Sequence, residues 1–439
     1  MIEELRQKAD IFFANNAQSA LSECFKEMRE TAIADFRKNG FPTRKHENWR
    51  YTPINFLEDI NFDIKYPSLQ GISHSDIDSF LLKDIRENYI VTIDGVPAPE
   101  LSDIHDAGVT ICSLREALRK YPDLLKRHFG KYAKPDHFTS LNTALFQDGL
   151  FIHIPENFAG NSVFHIVHAL DVRKKAYLCN TRTLILSDTK SQIKIIESVH
   201  NIGDYAGFTN SVTEFYVADD SVIDYYKLQN EIKSGYYVGS TSVALGKGST
   251  FHGVTISLDG KFVRNNLNIS LNGENITTSL YGFFFATKDN LIDNHTLVDH
   301  TMPKCKSEEI YKGIIDGKST GVFSGKIIVR PDAQQTDAYQ SNKNILLSED
   351  ARINSKPQLE IYADDVKCSH GSTTGYLDKE SLFYLKSRGI GESRAKALLL
   401  NAFASDVLSK IKISALCDEV KSLTAKRLNL DEDLYFCKF

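Results

Sequence analysis

The residues best suited to chemistry lie in one short stretch, YADDVKCSHGSTTG, which runs from Tyr362 to Gly375. If its centre is extended, Cys368 and His370 point to the same side, because side chains alternate along a strand. A thiolate and an imidazole on one face are ligands suited to iron, zinc or an iron–sulfur cluster. Most such sites need about four ligands, so the others would come from elsewhere in the chain or from another subunit. The alternative is a small buried cysteine beside a turn histidine that leads into Gly371.

Two other segments contain site-like residues without the matching spacing. GIIDGKSTG, Gly313 to Gly321, has three residues between its first two glycines where a phosphate-binding loop needs four, and a strand-like pattern follows it instead of a helix. It is therefore predicted to be a turn. The segment LIDNHTLVDHTMP contains Asp293 together with His295, Asp299 and His300. These residues lack the spacings of helical zinc sites, and structural or interface roles are favoured.

The only tryptophan lies in PTRKHENWRYTPINF, residues 42–56, among basic and aromatic residues. Such a patch could stack nucleobases, but a loop held to its domain by its aromatic side chains is the favoured interpretation. The whole chain supports this choice, since 52 basic and 57 acidic residues give a net charge of -5. Nucleic acid binding needs a concentrated positive field. Nucleic acid is therefore not an expected partner.

The elements that must position these residues fall into three regions, predicted as residues 1–150, 151–375 and 376–439. The middle region alternates short runs rich in Val, Ile, Phe, Tyr and Thr with small turns. Asp219, Gly246 and Gly273 mark turns that recur at a constant interval. Recurrent strand–turn units favour stacked coils, meaning a β-helix or solenoid, with a β-sandwich as the second choice. The fold is predicted to be mainly β.

The flanking regions are predicted to be largely helical, and the first one mixed. In the last region Gly389 stands where a helix would end in a C-cap glycine. The following helix has a predicted apolar stripe made of Ala395, Leu398, Leu399, Ala402, Phe403 and Val407. Helices after a β-solenoid would cap its open end or dock a partner.

The seven cysteines are widely spaced and form no CxxC motif, at positions 24, 112, 179, 305, 368, 417 and 437. This pattern favours reduced thiols in a cytosol-like compartment over a disulfide framework. The first residues carry acids where a secretory signal has a basic region, and no apolar run approaches the ~20 residues that span a bilayer. A soluble cytoplasmic protein without a membrane partner is expected.

Several blocks together resemble the SufB/SufD family of iron–sulfur cluster assembly scaffolds. The strongest block runs from Leu359 to Phe403 and contains DDVKCSHG and FYLKSRGI ahead of an amphipathic helix. GVFSGKIIVRPDAQQTDAYQSNKNILLS, VDHTMPKCKSEEIYKGIIDG and RKHENWRYTPI also look like family blocks, so the resemblance covers most of the chain. The motifs are similar to the SufD branch, because the C-terminal pattern of the SufB branch is missing.

The resemblance implies a right-handed parallel β-helix core with a helical N-terminal domain and a C-terminal helical domain. It implies a non-catalytic scaffold that works with SufB-type and SufC-type subunits, and it allows a homodimer of the isolated chain. A nascent iron–sulfur cluster would form at the interface, with His370 as a ligand, Cys368 as a less secure one, and a SufB-type cysteine opposite. ATP would bind only to the SufC-type ATPase, and flavin use is left open.

In the last region, Phe383, Tyr384, Arg388 and Gly389 match the family segment that docks the ATPase. In the implied mechanism, ATP-driven dimerisation of the ATPase pulls on this region and exposes the buried ligands. Two rival functions remain, a carbohydrate-active β-helix enzyme and a purely structural solenoid adaptor. The enzyme would need a cluster of acids or a basic residue along one coil face, and no such cluster is evident in the sequence.

Overall fold

A computed structural model describes residues 2–16, 20–82, 85, 88–106, 108–230 and 235–428 of the 439-residue chain. Cys437 lies outside these residues. Strands make up more of the described chain than helices do, and the helices are concentrated at both ends. The strands are β1 Asp63–Ile64, β2 Tyr89–Ile93, β3 Val96–Pro97, β4 Thr110–Ser113, β5 Leu150–Ile154, β6 Ala159–Asp171, β7 Tyr177–Ser187, β8 Gln192–Ile202, β9 Gly207–Val217, β10 Val222–Gln229, β11 Gly235–Leu245, β12 Thr250–Ser257, β13 Phe262–Leu271, β14 Thr277–Ala286, β15 Leu291–His300, β16 Lys306–Ile315, β17 Thr320–Val329, β18 Thr336–Leu346, β19 Arg352–Ile361 and β20 Val366–Tyr376.

The strands form two ten-stranded sheets that face each other across one core. Sheet A has the order β19-β17-β15-β13-β11-β9-β7-β5-β4, with β1 paired to β7, and sheet B has the order β20-β18-β16-β14-β12-β10-β8-β6-β2-β3. From β5 onward the chain alternates between the sheets, and neighbouring strands in each sheet are parallel. This arrangement is a parallel β-solenoid, which confirms the predicted fold class.

Each coil of the solenoid contributes one strand to each sheet. Val222 pairs with Thr250, and Thr250 pairs with Thr277, so successive coils of this part are nearly equal in length. The constant turn spacing seen in the sequence therefore corresponds to one coil. Later coils are slightly longer, since the register partner of Lys306 on the next coil is Asp337.

The helices are α1 Ile2–Asn15, α2 Ala20–Cys24, α3 Lys26–Asn39, α4 Phe56–Asp59, α5 His74–Ile77, α6 Leu114–Lys120, α7 Pro122–His128, α8 His137–Leu145, α9 Lys379–Ser387, α10 Glu392–Leu408 and α11 Ser414–Arg427, with short 3₁₀ turns at Glu47–Trp49, Asp78–Phe80 and Pro99–Leu101. Helices α1, α3 and α8 pack on the outer face of sheet A through a shared apolar cluster. Among the described residues, no helix combines the length and apolar character needed to cross a membrane.

Among the described C-terminal helices, α10 and α11 lie beside the solenoid, so the predicted capping role does not apply to these two. Helices α10 and α11 pack on the outer face of sheet B, where Leu400 and Val407 join a cluster with Tyr281 and Phe283. The predicted stripe on α10 is wrong in part. Ala395 and Val407 are buried as expected, and Phe403 is partly buried against the same cluster. The other buried residues of α10 are Ala397, Leu400, Ala404 and Leu408, and not the predicted Leu398, Leu399 and Ala402. The helix is apolar on more than one side, so the sequence did not indicate which side faces the sheet.

Candidate functional site

The solenoid ends at β19 and β20, and within the described residues no further strand pairs with either of them. The strand β20 is 11 residues long, and every one of its residues is half-buried or exposed. Large apolar side chains are exposed around this end: Ile361, Tyr362 and Tyr376 are 41%, 59% and 67% exposed. An unpaired edge with apolar surface is a template for another chain. This end is a candidate interaction surface, called the open end below.

Cys368 and His370 lie on β20 at this open end. Ala338 and Gln340 are their register partners on β18, and both are buried inside the solenoid. Because paired residues of a parallel sheet point to the same face, Cys368 and His370 both face the interior side of sheet B. The predicted sharing of one face is therefore confirmed. The alternative, in which His370 belongs to a turn, is wrong, because His370 lies within the strand.

The two side chains differ in their surroundings. Cys368 packs against the interior apolar core, and burial raises the pKa of its thiol. The thiolate is the form that binds metal, so burial in the isolated chain disfavours Cys368 as a ligand. The side chain of His370 is exposed and makes no hydrogen bond within the described residues. In the described part of the chain, no group of three or more His, Cys, Asp or Glu residues could hold a metal ion. The pair can supply two ligands at most.

The predicted partner-binding residues lie at and just after helix α9, beyond β20. Asp378 caps this helix by accepting hydrogen bonds from the backbone N–H groups of Glu380 and Ser381. Phe383 and Tyr384 are 73% and 57% exposed. The guanidinium of Arg388 lies 5.2 Å from the ring centre of Tyr384. The structure thus brings these side chains together on an exposed helix that has no buried residue.

The end of α9 matches the predicted glycine cap. Gly389 has a φ of +84°, and the N–H of Ile390 donates to the carbonyl of Leu385 at 3.2 Å. A left-handed residue after the last helical turn is the usual glycine position. The helix therefore ends where the sequence indicated.

The phosphate-loop-like segment Gly313 to Gly321 is a turn between β16 and β17, as predicted. Gly317 has a φ of +67°, and a Cβ at this position would lie 2.8 Å from the carbonyl oxygen of Lys288. No helix follows, because the chain enters β17 directly. Glycine at this position serves the turn.

The Asp293 to His300 segment forms structural polar pairs. On the outer face of sheet A, Arg264 donates to Asp293 at 2.6 Å, and Arg330 contacts Asp299 through two nitrogens at 2.9 Å. His300 faces the opposite side and lies 2.9 Å from the hydroxyl of Ser307. The favoured structural role is consistent with these contacts.

The tryptophan segment is a docked loop. Trp49 is 6% exposed, and the guanidinium of Arg264 stacks 3.8 Å from its ring centre. Thr52 donates to the same Asp293 carboxylate at 2.5 Å. The loop therefore packs against a buried ion pair of sheet A, Arg264 with Asp293, and so joins the N-terminal region to the sheet. This supports the interpretation favoured from the sequence.

Sequence reasoning missed two buried carboxylates inside the solenoid. Glu197 lies 3.4 Å from the ammonium of Lys227. Burial alone would raise the pKa of Glu197, but Lys227 holds it below its usual value. The carboxylate of Glu309 instead accepts a 2.6 Å hydrogen bond from the amide of Gln340. Burial raises the pKa of Glu309 to about 7. Each is a polar residue in an otherwise ordinary strand, and only the coil register indicates that it faces inward.

The comparisons with known proteins cover nearly the whole chain. Residues 6–166 match the family model of the SufBD protein N-terminal region, and residues 171–403 match that of the SufBD core domain of the SUF system for FeS cluster assembly. The chain is 30% identical to the iron-sulfur cluster assembly protein SufD of Escherichia coli, over 89% of this chain and 90% of that protein. It is 28% identical to an iron-sulfur cluster assembly SufBD family protein of Synechocystis, over 88% and 87% of the two chains. It is 27% identical to the chloroplastic protein ABCI7 of Arabidopsis thaliana, over 90% and 85%.

Proposed function

The chain belongs to the SufB/SufD family of the SUF system for iron–sulfur cluster assembly, and we propose that it is the SufD-type scaffold subunit of a complex with SufB-type and SufC-type partners. In this role the chain catalyses no reaction itself. It presents His370, and secondarily Cys368, to a nascent cluster that is the cargo of the complex. A SufB-type subunit covers the open end and supplies the remaining ligands. The isolated chain would form a homodimer through the same surface.

The observation that carries this proposal is the position of His370 on an unpaired strand edge, with exposed apolar side chains around it. The edge needs a partner for its backbone groups and its exposed apolar side chains. The ligand set is incomplete within the described residues. Both deficits would be met at once by a second subunit that brings ligands to the open end. This is the physical reason to place the cluster between subunits and not inside one.

His370 is the stronger ligand of the pair. Its imidazole is exposed at the open end, whereas the raised pKa of Cys368 keeps that thiol protonated in the isolated chain. A partner that brings iron close would favour the thiolate, so Cys368 would contribute only in the assembled complex. The expected order of importance is therefore His370 before Cys368.

ATP would act through the SufC-type partner, which docks on α9. The exposed Phe383 and Tyr384 provide the apolar contact, Arg388 a cation beside them, and Gly389 the turn that ends the docking helix. Because α9 follows β20 with only Leu377 and Asp378 between them, a pull on α9 would be transmitted to the strand that bears His370. ATP-driven closure of the partner would thereby open the interface to iron and sulfide.

Three further parts of the proposal follow from family membership. The complex would work in the cytoplasm. The three regions, residues 1–150, 151–375 and 376–439, would act as an N-terminal domain, a β-solenoid core and an ATPase-docking domain. None of the residues assigned above is proposed to bind a flavin.

The central test is cluster formation by the three-subunit complex carrying His370→Ala. Iron and sulfide are supplied to the purified complex, and the visible absorbance of the cluster is followed. We expect the complex to assemble normally and cluster formation to fall by about 10-fold or more. His105→Ala removes an exposed histidine far from β20 and is the matched control. Normal cluster formation by His370→Ala would show that the ligand assignment is wrong.

A further inference from the structure

We propose that Gln340 is a positioning residue that orients the imidazole of His370 by accepting a hydrogen bond from it. This inference rests on the proposed function, because it explains how the proposed cluster ligand is held. It assigns no metal contact to Gln340. Its basis is the register of sheet B together with one buried oxygen atom that has no partner among the described residues.

Three strands of sheet B place Glu309, Gln340 and His370 in one row. Glu309 on β16 pairs with Gln340 on β18, and Gln340 pairs with His370 on β20. In-register residues of parallel strands point the same way and lie about 4.8 Å apart between strands. Glu309 and Gln340 are each 0% exposed, while His370 is exposed at the open end. The row therefore runs from the solenoid interior to the proposed ligand.

The amide of Gln340 is held in one orientation. Its Nε2 donates to Oε2 of Glu309 at 2.6 Å, so the nitrogen is directed toward the interior. On the opposite sheet, a Cβ added to Gly325 would collide with Nε2 of Gln340 and lie 2.9 Å from its Cδ. The side chain therefore lies directly against the glycine backbone. Glu309 and Gly325 together leave the amide little freedom to turn.

The oxygen of this amide is the atom that needs a partner. Oε1 of Gln340 is buried and accepts no hydrogen bond within the described part of the chain. Buried acceptors are nearly always paired. His370 is its neighbour in the row, and both ring nitrogens of His370 are without a partner in the described residues. A ring N–H donated to Oε1 would satisfy the amide and fix the imidazole.

This hydrogen bond would prepare His370 for iron. Histidine ligands usually donate their second ring N–H to a neighbouring acceptor, which fixes both the tautomer and the ring orientation. The other nitrogen then presents its lone pair to the metal. Cys368 has no such support, since its neighbour on β18 is the apolar Ala338. The two candidate ligands therefore differ in their neighbour on β18, which can accept a hydrogen bond beside His370 but not beside Cys368.

The test compares Gln340→Met with Asn344→Leu. Asn344 is on the same strand and also has a buried amide oxygen without a partner among the described residues, but its register partner is Thr374. The first readout is the tautomer of His370 in the chain labelled with ¹⁵N-histidine, measured by NMR at one alkaline pH and assigned with His370→Ala. We expect one dominant tautomer in the parent chain and in Asn344→Leu. We expect a mixture like that of the exposed His74 in Gln340→Met.

The second readout is cluster formation by the three-subunit complex. Gln340→Met should slow it by about 10-fold, and Asn344→Leu by less than about twofold. Gly325→Ala displaces the amide without removing it and should give the same mixed tautomer, so it serves if Gln340→Met does not fold. A parent-like tautomer in the folded variants would overturn this inference, even if cluster formation falls. If His370→Ala itself forms clusters normally, the proposed function fails, and the tautomer readout still decides whether Gln340 binds His370.

Discussion

The buried carboxyl of Glu309 should make the stability of the fold fall as the pH rises. Its side chain is 0% exposed, and burial raises its pKa from 4.5 to about 7, with smaller opposing effects from Thr296 and Gln340. Between these two pH values the folded chain keeps a proton that the unfolded chain has lost. The contribution of this group to folding stability is therefore highest below about pH 4.5. It decreases as the pH rises from about 4.5 to about 7, the folded-state pKa.

The size of the effect follows from the shift. A difference of about 2.5 pKa units corresponds to about 3 kcal/mol, since each unit is worth about 1.4 kcal/mol. About 1 kcal/mol of this penalty is already present at pH 5, so the change from pH 5 to pH 8 is about 2.5 kcal/mol. At about 2.1 cal/mol/K of unfolding entropy per residue, a chain of this length shifts its melting temperature by about 1 °C per kcal/mol. The expected shift is about 3 °C.

The variant Glu309→Gln cannot ionise and should lack this pH dependence. Its melting temperature relative to the parent should rise by about 3 °C between pH 5 and pH 8. Any constant effect of the new amide on Gln340 cancels, because it does not vary with pH. Glu308→Gln is the matched control, since Glu308 is the neighbouring residue on the opposite face of β16, where it accepts a hydrogen bond from Tyr281.

Thermal unfolding of the three proteins in a series of buffers from pH 5 to pH 8.5 is a sufficient assay. The Glu308→Gln curve should run parallel to that of the parent. Parallel curves for Glu309→Gln and the parent would refute the reasoning, because they would mean that Glu309 ionises in the folded chain as easily as in the unfolded one.

Three other predictions concern the packing and docking surfaces. Arg264→Met should destabilise the fold by about 3–5 kcal/mol in chemical unfolding, because it leaves the buried Asp293 carboxylate without its cation, and Asp293→Asn in the same chain should recover part of the loss. Gly389→Ala should raise the rate of amide exchange in α9 relative to α11, because alanine at a φ of +84° costs about 1–2 kcal/mol; equal exchange would contradict the assigned cap. Phe383→Ser should abolish co-purification with the SufC-type ATPase without changing the melting temperature, whereas Ile11→Ser, which replaces a comparably exposed residue of α1, should leave binding intact.

The fold was predictable from the sequence because one coil repeats its turns. The constant spacing of Asp219, Gly246 and Gly273 follows from one strand per sheet in each coil. The two-sheet arrangement was not predictable, since the strands of both sheets are rich in Val, Ile, Phe, Tyr and Thr. The docking side of α10 was missed for a similar reason. Several sides of that helix are apolar, and contact with sheet B selects the side that is buried.

The candidate site was predictable only in part. Alternation along an extended strand was enough to place Cys368 and His370 on one face. Gln340 and Glu309 could not be found this way, because they lie one coil and two coils earlier in the chain. The coil length was the available signal, since counting back from His370 by one coil and then by another leads to these two residues. That count needs the true register, because the coils of this end are longer than those whose turns revealed the repeat.

The two ends of the solenoid differ in a way that bears on why the site lies where it does. At the N-terminal end, the sheets finish in the short antiparallel strands β3 and β4, and short edges of this kind resist further pairing. At the other end, β20 is long and contains no proline, and Lys367 is its one charged residue. A long unpaired edge of this kind can pair with another chain, which is consistent with the proposal that a second subunit covers it. The proposed cluster ligand, His370, is on that same strand, next to the buried amide of Gln340. Covering the edge and completing the cluster site would therefore be one event, which couples subunit assembly to metal binding.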